Sequence, residues 1–131
     1  MTERVTGGCA CGAIRYDAKN NIELSFQCFC RKCQRSTGGG HSSVFALATS
    51  EVTFTGELTE YTQDSDAGVN TYSGFCRTCG SPLTSRSERF PDRVYVHVAT
   101  LDDPSVFQPS FTVFEEKALA WDKPNMPLAE S

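Results

Sequence analysis

Seven cysteines stand in three clusters along this 131-residue chain. The first is Cys9-Ala10-Cys11-Gly12, the second Cys28-Phe29-Cys30-Arg31-Lys32-Cys33, and the third Cys76-Arg77-Thr78-Cys79-Gly80. C-x-C and C-x-x-C spacings of this kind read as zinc or redox chemistry. Zinc takes tetrahedral coordination, and soft thiolates suit it. In C-x-C, residues two apart on an extended segment point the same way. In C-x-x-C, a tight turn brings both sulfurs to one point. The first and third clusters both end in Cys-Gly, and glycine tolerates the left-handed backbone that curls a chain around a metal. The middle cluster lacks that glycine and continues into Gln34.

The spacing therefore predicts a division into four and three. Cys9, Cys11, Cys76 and Cys79 would complete a four-sulfur shell, which leaves no position for substrate and so is structural. Cys28, Cys30 and Cys33 would hold a second zinc with one position open to water or a substrate thiol, the usual arrangement of a catalytic ion. Arg31, Lys32 and Arg35 flank that trio, where positive charge lowers thiol pKa values and attracts anions. A redox group, or an empty cluster, is the competing reading of the trio.

The elements that must position these sulfurs read as mainly β. Ile14 and Tyr16 alternate with polar neighbours, and Val52–Thr55 ends at Gly56 before Tyr61-Thr62. Thr71-Tyr72-Ser73 leads into Phe75, and Val44–Ala48 is strand-sized. The clearest strand is Val94–Val98, with three valines on one face at period two. A short helical turn is predicted after Cys33 and a second from Glu115 to Ala120, before Pro124 and Pro127. No linker or repeat array divides residues 1–131, so a single domain is expected.

Formal charge is −4 and hydrophobic residues make up 39%. An acidic chain without a dense basic stripe argues against nucleic acid as a partner. No run approaches the ~18 apolar residues of a membrane helix, and the N-terminal segment lacks an apolar signal stretch. The expected setting is cytoplasmic and reducing, where a disulfide framework is disfavoured and an odd number of thiols needs no pairing.

At GGCACGAIRYDA, CFCRKCQRSTGG, SGFCRTCGSPL and RVYVHVATLDDP the chain resembles the glutathione-dependent formaldehyde-activating family, which includes centromere protein V-like domains. The resemblance runs from about Gly7 to Leu128. It implies a tent-like, mainly β fold of small sheets joined by a structural zinc on Cys9, Cys11, Cys76 and Cys79. It also implies a catalytic zinc on Cys28, Cys30 and Cys33. The implied activity is that of a carbon–sulfur lyase, forming or cleaving S-(hydroxymethyl)glutathione, with a small thiol or thiol–aldehyde adduct as its partner. Trp121 agrees with the family. Phe29 stands where the family often has His, and Ser110-Phe111-Thr112 follows Pro109 where the family often has another His. A non-catalytic zinc module that binds protein or nucleic acid is the alternative, and an iron-based electron carrier a third, since four thiolates also suit iron.

Other residues have plainer expectations. His41, after Gly38-Gly39-Gly40, reads as a solvent-facing loop histidine, with fourth ligand or proton shuttle as the sharper option. His97 alternates out of phase with the valines and reads as half-buried. Phe45, Phe54, Phe75, Tyr72 and Tyr95 read as core, while Phe29, between two ligands, is expected to face the open site. Asp102 and Asp103 read as turn residues, and Arg86, Arg89 and Arg93 as either an anion site or a solvated loop.

Overall fold

Alternation of small polar and apolar residues across short runs produces ten strands in the computed structural model, which describes residues 3–64 and 68–123. In chain order they are β1 (Arg4–Gly8), β2 (Arg15–Lys19), β3 (Leu24–Cys28), β4 (Ser42–Ala48), β5 (Val52–Thr55), β6 (Thr59–Asp64), β7 (Asn70–Phe75), β8 (Pro82–Ser87), β9 (Arg93–His97) and β10 (Phe111–Val113). A single α-helix among the described residues, α1 (Arg31–Thr37), joins β3 to β4. The fold is mainly β, as expected.

The strands form two sheets. A three-stranded antiparallel sheet has the order β1-β2-β5. A seven-stranded sheet has the order β10-β3-β4-β9-β8-β7-β6 and is antiparallel except where β10 runs parallel to β3. Val5, Tyr16 and Ala18 of the small sheet, with Ile14 just ahead of β2, pack on Phe45, Leu47, Leu83, Val94 and Val96 of the large one, and this is the core. Register fixes the faces. Phe45 pairs with Val96, and Val96 with Thr84, on the core side. Cys28 pairs with Ser42, and Val44 with His97, so alternation turns these four to the opposite face.

Several expectations need correction. Helix α1 begins at Arg31, ahead of Cys33, because the Cys30 sulfur acts as its N-cap and accepts from the Cys33 amide at 3.4 Å. Sequence rules look for an oxygen there. The predicted helix from Glu115 to Ala120 is one 3-10 turn, Glu115–Lys117. It stops where the Lys117 carbonyl is taken at 3.1 Å by the Gln34 side-chain amide. Pro124 and Pro127 lie outside the described residues. Phe45 is fully buried and Phe54 packs at the core edge, but Tyr72, Phe75 and Tyr95 are only half-buried. Tyr95 sits on the far face, against Phe26.

Candidate metal centre

Two hairpin turns, from opposite sheets, bring four sulfurs together. Cys9 and Cys11 lie in the β1–β2 turn, and Cys76 and Cys79 in the β7–β8 turn. The C-x-C is a tight turn rather than an extended pair, since the Gly12 amide donates to the Cys9 carbonyl at 3.2 Å. The reason is that β1 must reverse there to pair with β2. Gly12 and Gly80 both take the left-handed conformation, with φ of +82° and +78°. The Sγ atoms of Cys11 lie 3.7 Å from those of Cys9 and of Cys76. All four sulfurs fall within 4.8 Å of one another. A tetrahedron with Zn–S bonds of about 2.3 Å has edges of about 3.8 Å, so the donor set fits zinc in type and spacing.

Polar groups around these sulfurs favour charge. The Ile14 amide donates to Cys9 Sγ at 3.3 Å. Ser81 Oγ accepts from the Ala10 amide at 3.0 Å and lies 3.2 Å from Cys79 Sγ, bridging the two turns. The Ser81 hydroxyl, then the Ser81 and Cys11 backbones, hold the Cys79 thiol down at about 5.

The second group forms where β3 runs into α1. Cys28 ends the strand and is buried, Cys30 caps the helix, and Cys33 lies in its first turn. Their sulfurs lie within 4.8 Å of one another, with no fourth histidine, cysteine or carboxylate ligand in the group among the described residues. Ser42, across from Cys28, favours the charged form of the Cys33 thiol. Hydrogen bonds from Cys28 and then Cys33 push the Cys30 thiol down to about 2, and the same contact pushes Cys28 up. Three sulfurs so placed suit a thiophilic cation and leave one side free of ligands from the described residues.

The surrounding residues divide differently from the expectation. His41 is half-buried, not solvent-facing: Nδ1 is 2.5 Å from Asp122 Oδ2, and Nε2 is 3.2 Å from Gln27 Nε2. The approach of Asp122 requires Gly40, because a Cβ there would collide with its carboxylate. His41 is not among the clustered ligand atoms. Phe29 is 2% exposed, and its ring lies 4.7 Å from the His41 ring, so that packing, rather than the open site, is where it makes contact. Arg31 is engaged by the Gln34 side chain and Lys32 by the Asp64 carbonyl, while Arg35 has no partner among the described residues. His97 is half-buried, as expected. Asp102 is bound by both Arg15 nitrogens, at 2.9 and 2.5 Å, and Asp103 caps a 3-10 turn. Arg86 is paired with Glu60 and Arg93 with Glu23.

Sequence reasoning missed Ser81, Ser42, Gln34 and Asp122. Gln34 is 3% exposed and ties α1 to the Phe29 carbonyl at 2.9 Å. A buried amide beside a ligand cluster has a sequence signal only in its position, one residue after Cys33.

No curated protein matches the chain. Among solved structures it is similar in fold to the crystal structure of a Rhodobacter sphaeroides protein, at 23% identity and a TM-score of 0.64, over 82% of this chain and 99% of that one. No helix of the described residues is long and apolar enough to cross a membrane. The sequence model described as glutathione-dependent formaldehyde-activating enzyme matches residues 4–117, and this protein belongs to that family.

Proposed function

We propose that this protein is a zinc-dependent carbon–sulfur lyase acting on thiol–aldehyde adducts of the S-(hydroxymethyl)glutathione type. One observation carries the reading: three thiols converge within 4.8 Å without a fourth protein ligand among the described residues, beside a separate group of four. On this reading Cys9, Cys11, Cys76 and Cys79 hold a structural zinc, and Cys28, Cys30 and Cys33 hold a catalytic one. Zinc bound by the trio would supply an open position that keeps a substrate thiol ionised at neutral pH or polarises an aldehyde oxygen. The chain's own residues do the rest. Cys28 is fixed by β3 and Cys30 and Cys33 by α1, and Ser42 favours the charged form of the last.

In the forward direction the thiol sulfur attacks the formaldehyde carbon, one S–C bond forms, and the thiol proton ends on the former carbonyl oxygen. The reverse reaction returns each atom. Hemithioacetal formation has a small barrier, so proximity is the main contribution required of the site. The test is exchange NMR of glutathione with formaldehyde. Wild-type protein should accelerate adduct exchange, and Cys30→Ala should return it to the uncatalysed rate while leaving the fold intact. Full activity in Cys30→Ala would overturn the open-site reading.

A further inference from the structure

A cavity of about 280 Å³ lies between α1 and the face of the large sheet that also carries Cys28. Arg35 and Ser36 line it from the helix, Gln63 from β6, Ser73 from β7 and His97 from β9. Two of its groups lack partners among the described residues. Arg35 makes no ion pair among the described residues, whereas Arg4, Arg15, Arg86 and Arg93 each have a carboxylate. The His97 ring is perturbed by burial alone, which pushes its pKa down and keeps it neutral near pH 7. A neutral imidazole offers one N–H donor and one acceptor.

Position relates this cavity to the trio. Arg35 is two residues beyond Cys33 on the same helix. On the sheet, Cys28 pairs with Ser42, and Val44, two residues on, pairs with His97. With strands about 4.8 Å apart and a rise of about 3.3 Å per residue, Cys28 and His97 are separated by roughly 12 Å. That is about the reach of three extended residues.

We propose that this cavity binds a carboxylate carried by the substrate about three residues' length from its sulfur, with Arg35 as the charge partner and His97 as a hydrogen-bond partner. The cavity then selects anionic, peptide-length thiols over small or uncharged ones. The assignment of the sulfur end to Cys28, Cys30 and Cys33 rests on the function proposed above; the anion site rests on the cavity itself.

The experiment separates the two. S-methylglutathione, whose capped sulfur cannot ionise, is titrated into zinc-loaded protein and followed by amide NMR. Saturable shifts are expected at Arg35, Ser73 and His97. Arg35→Gln should weaken binding about tenfold, Arg35→Lys should restore most of it, and the dimethyl ester of the ligand should bind about tenfold more weakly than the acid to wild type. The ester should bind wild type and Arg35→Gln alike. His97→Ala should also weaken the acid. No saturable binding, equal affinity of acid and ester, or equal affinity of wild type and Arg35→Gln would each overturn the proposal. Turnover provides the second arm: Arg35→Gln should raise KM for glutathione about tenfold at unchanged kcat. Binding without any turnover by wild type would sink the lyase reading and leave the anion site standing.

Discussion

Cys30 serves two structures with one sulfur. It accepts the Cys33 amide at 3.4 Å as the cap of α1, and it is a member of the three-thiol group. These roles separate by substitution. Cys30→Ser keeps an N-cap acceptor but removes the thiolate, while Cys30→Ala removes both. On the proposed reading, neither variant should hold an ion at the trio. In denaturation with the four-thiol group still loaded, Cys30→Ala should be less stable than Cys30→Ser by about 1 kcal/mol. Equal stability would show that the cap contributes nothing. The cysteine partition was legible because spacing and the following glycines are local properties. Ser81, Ser42 and Asp122 were not, because each meets its partner through a chain reversal or a contact far along the sequence, such as the His41–Asp122 pair across a separation of 81 residues. His41 was misread for the same reason: nothing adjacent announces a carboxylate that arrives from the C-terminal segment.

At the level of elements, β5, β7, β9 and β4 were legible, since each has an apolar alternation or run of its own. Strand β1 was not, because Arg4–Gly8 ends in two glycines that only the pairing with β2 makes extended. Strand β10 has three residues and exists through its parallel pairing with β3. The two sheets are also joined away from the thiols. Arg15 on β2 holds Asp102, just beyond β9, and Thr6 on β1 donates to the same carboxylate at 2.8 Å. Arg15 first, then Thr6, depress the Asp102 pKa to about 2. A carboxyl whose folded pKa lies below its unfolded value of about 3.9 stabilises the fold above that value and loses the contribution as pH falls toward 2. Between about pH 4 and 2, wild type should therefore lose more stability than Asp102→Asn. Parallel acid dependence of the two proteins, read from urea midpoints, would remove Asp102 from the account.

For the whole molecule, the decisive feature is that the four-thiol group joins turns from different sheets, with Cys11 and Cys76 separated by 65 positions. Structural zinc contributes about 10–16 kcal/mol in small peptides, against about 5–15 kcal/mol of net stability for a typical domain. Chelation strong enough to strip that site should thus lower Tm steeply or unfold the chain, and near-UV circular dichroism should report the loss of core packing around Tyr16 and Phe45. The core alone has its own test: Phe45 is fully buried, so Phe45→Ala should cost about 3–5 kcal/mol in denaturant titration with metal retained. A mainly β fold of joined sheets followed from the family resemblance, whereas the number of sheets, the strand order and the parallel β10–β3 pair were beyond reach, because pairing between distant strands has no local signature. The central claim is that one sulfur group is closed and the other open, each holding zinc. Elemental analysis of the folded protein tests it most directly. About two zinc ions per chain are predicted in wild type and about one in a folded Cys30→Ala variant. One zinc in wild type, unchanged by that substitution, would contradict it.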